Sequence, residues 1–312
     1  MNAKAKGYAL GAIAAVTYGM NPLFTLPLYE DGLNPDSVLF FRYLFAIPTV
    51  CAMLKARGRD FRVPVRELPL LALFGILFSL SSLTLFQSYN YMAAGIASTL
   101  LFVYPIIVAV IMACFFKERL SALTMFCILT AMCGIGLLYK GDDGVTLSLT
   151  GTLLVFGSAL SYAIYIVGIN QTRLKDIATL KVTLYVLLFG LSLFAVRLLA
   201  AGEGLPLPSK WYLWGNLFAL GLFPTAISLL CTTAAIQYIG ATPTAILGAL
   251  EPATAIFFGV TVFGEVLTAR DVTGVVLIIA AVGIVIAGGS VAHTLVKFRK
   301  LFPKLTRGRK HP

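Results

Sequence analysis

The chain has 312 residues, of which 59% are hydrophobic and only 12% charged, with a mean hydropathy of +0.92. Soluble domains carry about 25% charged residues, so a soluble fold is excluded. The net charge of +11 does not point to nucleic acid, because seven Lys/Arg follow residue 296 and most of the rest occupy short breaks between apolar blocks.

Those blocks are about 20 residues long and lack the alternation of strands, which selects membrane-spanning helices over a barrel. Ten spans are predicted. In the first half they cover 7–28, 35–54, 68–90, 95–116 and 121–139; in the second they cover 150–170, 179–200, 211–237, 242–263 and 270–289. The breaks are turn-rich, as at Glu30-Asp31-Gly32-Leu33-Asn34-Pro35, or basic, as from Lys55 to Arg66. Lys4 and Lys6 lead into a span too long for a signal-peptide core, so no cleaved leader is expected. Cys51, Cys114, Cys127, Cys133 and Cys231 lie within apolar blocks at no metal-ligand spacing and read as small core residues.

Lys/Arg counts predict the orientation. With the N-terminus in the cytoplasm, 19 of the 24 fall on the inner side and four on the outer; the remaining one, Arg42, lies within a span. Both termini are therefore expected inside a bacterial inner (plasma) membrane. The tail 291–312 should touch anionic lipid.

The two halves repeat. Tyr104-Pro105 followed by Glu118 recurs 147 residues later as Glu251-Pro252 followed by Glu265, and Asn90-Tyr91-Met92-Ala93-Ala94 recurs as Gln237-Tyr238-Ile239-Gly240-Ala241. Each copy has five predicted spans, an odd number, so the second must enter the membrane inverted. Inverted repeats are a mark of secondary transporters, in which exchange of conformations between halves alternates access to a midplane site. The expected units are 1–145 and 146–290, followed by the tail.

The run Phe40-Phe41-Arg42-Tyr43-Leu44-Phe45-Ala46, and in each half a small-residue hairpin followed by Pro and then Glu, resemble the EamA-type members of the drug/metabolite transporter superfamily. The departures are Tyr104 where the second half has Glu251, and Lys117 where it has Gly264. The resemblance implies an all-α membrane protein of ten helices in two inverted five-helix repeats, with a central cavity and carriage of small metabolites. It does not imply a particular cargo.

Glu251 is the clearest carboxylate within a span, and such a group is costly unless it faces protein or water. It reads either as a substrate and proton-coupling group or as a packing residue beside Pro252. Arg42, about two turns from the outer end of its span, is long enough to snorkel outward; it reads as a structural or salt-bridge residue, or as one that recognises a substrate carboxylate. Without a second cation, strongly anionic cargo is disfavoured. Tyr18 and Asn21 share a helical face, and Tyr162 and Tyr165 take the equivalent positions in the sixth span. Tyr104 should face Glu251 across the pseudo-axis, with Phe102, Ser81 and Gln87 completing the wall. Tyr8, Tyr43, Tyr139, Trp211, Tyr212 and Trp214, near span ends, read as an interfacial belt. Pro22, Pro48, Pro105, Pro224 and Pro252 interrupt spans; Pro105, Pro252, Gly95 and Gly240 are the candidate hinges. Glu118 and Glu265 read as interfacial caps.

The expected function is secondary active export of neutral or zwitterionic metabolites such as amino acids, with nucleosides, other ring compounds or lipophilic cations as alternatives. No cofactor, metal or nucleic acid is expected. The partners are the small-molecule substrate, the bilayer and protons, and the protein should be a monomer or weak homodimer. An intramembrane enzyme lacks its groups: the only histidines, His293 and His311, lie beyond the last span, and no span centre holds Asp or Lys. A channel would have no need of inverted half-site motifs.

Overall fold

A computed structural model of the chain describes residues 3–91, 97, 100–117, 122–138, 148–201 and 205–263. Beyond these it describes 269–270, 272–274, 276–277, 279–281 and 284. The described residues form helices and turns without strands. Gly95, Glu118, Tyr139, Glu265 and the tail 291–312, all named above, lie outside them.

The first apolar stretch, Ala3–Glu30, is long enough to cross a bilayer but is broken into α1 (Ala3–Gly19) and α2 (Asn21–Glu30). Pro22 lies in the first turn of α2, where its missing N–H costs no helix bond. Helix α3 (Pro35–Ala56) opens on Asn34, whose side chain accepts from the Ser37 amide at 2.8 Å. It is followed by α4 (Leu68–Ser88), α5 (Tyr104–Phe116) and α6 (Ala122–Leu138). Lys117, in the left-handed region, ends α5.

The second half runs α7 (Leu149–Gln171), α8 (Thr179–Ala201) and α9 (Leu213–Gly221), then a π-turn over Leu222–Ile227. Helices α10 (Ser228–Ile239), α11 (Ala241–Leu247) and α12 (Leu250–Phe263) follow. Gly240, at φ +86°, makes the turn between α10 and α11, a conformation an L side chain resists. Among the described residues six stretches are long and apolar enough to span a membrane. Tyr104–Phe116, Met125–Gly134 and Val272–Ala281 are shorter apolar helices. Outward-facing apolar side chains such as Leu199, Phe115 and Phe257 suit a lipid environment.

Helices from the two halves interleave. Helix α1 lies along α10 and reaches α12; reciprocally, α4 lies along α7, and α7 reaches α5. Between these pairs α3 packs on α8, closed at one end by Arg197 Nε to Asp36 Oδ1 at 2.7 Å and at the other by Lys181 Nζ to Asp60 Oδ1 at 2.5 Å. Tyr43 belongs to this interior. It is fully buried, its ring 5.0 Å from that of Phe194, so it is a core residue and not part of an interfacial belt. Trp211, at 86% exposure, keeps the belt reading open for its own segment.

Candidate functional site

Three breaks in helical backbone converge near the middle of the bundle. Between α1 and α2, Tyr18 and Asn21 flank the interruption; Tyr104 is the first residue of α5; Glu251 lies in the first turn of α12, just after the break from α11. Such interruptions are tolerated at membrane depth only where protein or a cavity meets the freed backbone. Pro105 and Pro252 therefore begin helices here, where they lose no hydrogen bond, and do not kink continuous ones.

Two small cavities meet at Glu251. One, of about 30 Å³, is lined by Tyr18, Asn21, Tyr89, Phe102, Glu251 and Pro252 among others. The other, of about 10 Å³, is lined by Ala14, Tyr104, Tyr162, Thr232, Gly248 and Glu251 among others. Ligand pockets usually hold about 300 Å³ or more, so this conformation is closed. The aromatic rings are tightly linked. Tyr18 stacks on Tyr162 at 6.5 Å, Tyr104 meets Tyr162 edge-on at 4.8 Å, and Phe102 meets Tyr104 at 5.7 Å.

Close backbone approach brings these groups together. Gly19 lies where a side chain would run into the Glu251 carbonyl and Thr254. Gly248 likewise gives its space to the Tyr104 hydroxyl, which donates to the Ala245 carbonyl at 3.2 Å. The pairing of Tyr104 with Glu251, 147 residues apart, thus becomes a shared cavity wall. Among the described residues Glu251 has no salt-bridge partner.

Of the residues singled out in the sequence, Tyr18, Asn21, Phe102, Tyr104, Tyr162 and Glu251 gather here. Tyr165 stands behind Tyr162, stacked at 6.2 Å, with its hydroxyl 3.2 Å from Thr233 Oγ1. Ser81 is turned into the α4–α7 contact, where its Oγ lies 3.0 Å from that of Ser158. Gln87 is half-buried and lines neither cavity. The lining also includes Tyr89, Thr232, Thr244 and Gly248, which the sequence did not single out. Leu85 and Tyr89 share a helical face by their spacing of four, which was the signal available for Tyr89.

Arg42 does not snorkel. Its side chain is fully buried; Nε donates to Thr225 Oγ1 at 2.5 Å and a terminal nitrogen to the Pro224 carbonyl at 3.1 Å. The guanidinium meets the π-turn at Pro224, whose missing N–H interrupts the helical ladder there. Thr225 Oγ1 in turn donates to the Leu220 carbonyl at 2.8 Å.

A family model, the EamA-like transporter family, matches residues 5–140 and again 149–287. The chain belongs to the EamA-like transporter family. It is 29% identical over 278 residues to an uncharacterized transporter of Archaeoglobus fulgidus, covering 88% of this chain and 94% of that protein. It is 25% identical over 273 residues to the uncharacterized transporter YdfC of Bacillus subtilis, covering 87% and 85% respectively. A protein of known crystal structure, 18% identical, superposes with a TM-score of 0.73 over 90% of this chain and 96% of that one, a likeness of fold. This EamA-family chain is thus a multi-pass membrane transporter of the drug/metabolite type, and the broken helices around Glu251 are its candidate site.

Proposed function

We propose that this EamA-family protein is a secondary transporter of small neutral or zwitterionic metabolites such as amino acids, working by alternating access in the export direction. The observation that carries the reading is the closed cavity at Glu251, walled by α1, α5, α7 and α12 and so by both halves. A carboxylate amid tyrosine faces suits an ammonium group through charge and cation–π attraction, while the apolar remainder accepts an uncharged body.

The full arrangement is ten helices as two inverted repeats, 1–145 and 146–290, with both termini and the tail in the cytoplasm of a bacterial cell. The reciprocal packing of α1 on α10 and α4 on α7 supports it. Access alternates as the helix starts at Pro105 and Pro252 and the turn at Gly240 rock about the site, with Gly95 the remaining hinge candidate from the sequence. Glu251 couples transport to a proton, facing Tyr18, Tyr104 and Tyr162; the protein acts as a monomer or weak homodimer.

Proteoliposome flux, screened over amino acids, nucleosides and quaternary amines with and without a pH gradient, tests this reading. Amino acids should move, faster with the gradient. Movement of nucleosides or quaternary amines alone would replace the cargo assignment, and movement of none would refute it.

A further inference from the structure

The most unusual charge in the molecule is Arg42. Its side chain is fully buried, and among the described residues no carboxylate lies within ion-pair distance of it. An unpaired buried cation is strongly destabilising. The π-turn accounts for only part of the guanidinium: Nε and one terminal nitrogen are engaged, whereas NH1 is buried without a hydrogen-bond partner. Holding the π-turn therefore does not use the whole group.

Three more buried polar atoms lack partners nearby: Asn21 Oδ1, Thr25 Oγ1 and the Tyr29 hydroxyl. They recur every four residues along α2 and so share one face. This row is joined to Arg42 through aromatic rings. The guanidinium carbon lies 5.5 Å from the Phe86 ring, and Tyr29 meets the same ring edge-on at 6.4 Å. The guanidinium also lies 5.6 Å from the ring of Tyr18, which lines the Glu251 cavity together with Asn21. Unsatisfied buried polar groups call for a ligand or water. Here the unsatisfied set contains a cation, two hydroxyl donors and one amide oxygen, and the cation with the two hydroxyls matches an anionic oxygen group.

We propose that Arg42 is a substrate-binding residue whose free NH1, with Thr25 and Tyr29, receives the carboxylate of a zwitterionic substrate when Tyr18 swings off the guanidinium. The inference rests on the zwitterion reading above and deepens it. Glu251 holds the ammonium end of the substrate, Arg42 holds the carboxylate end, and Tyr18 is the movable ring that touches both regions. A single guanidinium sets the cargo's anionic content at one carboxylate.

The test measures binding of the twenty L-amino acids and their carboxamides to the purified full-length protein in nanodiscs, by titration calorimetry. A hydrogen bond to a charged group predicts that the best-bound acid outcompetes its own carboxamide by about 10–150-fold. In Arg42→Gln this preference should collapse to near unity. Arg42→Lys, which keeps the charge, should retain part of it and serves if the Gln variant fails to fold. Equal binding of acid and carboxamide by the unaltered protein would overturn the Arg42 assignment while leaving the cargo class standing. A preference unchanged in the variants would do the same. Binding of no amino acid and no carboxamide would overturn both.

Discussion

Two seams of this transporter occupy reciprocal positions and are built differently. Where α4 meets α7, the contact is filled by rings: Phe78 lies 5.2 Å from Tyr165, and Phe74 packs against Gly168. Where α1 meets α10, the contact is narrow, with Gly7 against Tyr238 and Ile239 and Gly11 against Ala235. One element is shared. Ser158 Oγ donates to the Ser81 carbonyl at 2.7 Å across the first seam, and Ser228 Oγ, 147 residues after Ser81, donates to the Ala14 carbonyl at 2.9 Å across the second. The repeat thus keeps a serine-to-carbonyl bond between equivalent positions, with donor and acceptor exchanged, and varies the filling. The thin seam lets α1 approach α12 closely enough to bring Tyr18 to the Glu251 cavity. The common part holds the scaffold, and the divergent part makes the site.

The sharpest way to break this comparison is at the residue that only one half carries. Glu251→Gln should lower amino-acid flux in proteoliposomes by about 10–150-fold, the effect of losing a hydrogen bond to a charge, and should flatten the dependence of flux on pH. Full flux with an unaltered pH profile would return Glu251 to a packing role. Next in size, Gly248→Ala pushes a methyl into the space of the Tyr104 hydroxyl. Overpacking of this kind costs about 1–3 kcal/mol, read as a lower unfolding midpoint together with lost flux. An unchanged midpoint would show that Tyr104 has room to move.

The two serines sharpen the comparison because they test what the halves share. Ser158→Ala and Ser228→Ala, which remove the donor hydroxyls, should each cost about 0.6 kcal/mol, the mean for interhelical hydrogen bonds in membranes. Because Ser81 faces α7 and not a cavity, Ser81→Ala should leave substrate preference intact; a changed preference would return it to the binding wall. The smallest effects lie at the ends of α3 and α8. Asp36→Asn removes a partly exposed pair and should cost about 0–1 kcal/mol. At the opposite end, the hydrogen bond from Lys181 holds the exposed Asp60 carboxyl below the usual carboxylate range. A depressed folded-state pKa stabilises above the unfolded value and is lost as pH falls through the folded one. Asp60→Asn should therefore lower the unfolding midpoint slightly at pH 7, a difference that vanishes as pH falls below the folded-state pKa.

Composition, block length and the repeat were enough to determine that the chain is a helical membrane protein and to point to the Tyr104–Glu251 pairing. Hydrophobic transfer and backbone satisfaction act on any stretch of apolar sequence, so they are legible without a fold. Six of the nine candidates chosen from the sequence line the two cavities, for a related reason: polar side chains are rare in spans, and those at equivalent repeat positions converge. Ser81, Gln87 and Tyr43 lie elsewhere than the sequence suggested, because a side chain's direction depends on the neighbour across the seam. Serine looks the same in a sequence whether it faces a cavity or another serine. Arg42 shows the limit most clearly. Its distance from the span end allowed an outward reach, yet the π-turn 182 residues away offers it a carbonyl at 3.1 Å. Only the tertiary structure brings that carbonyl to it, because a buried guanidinium needs partners that local sequence does not supply.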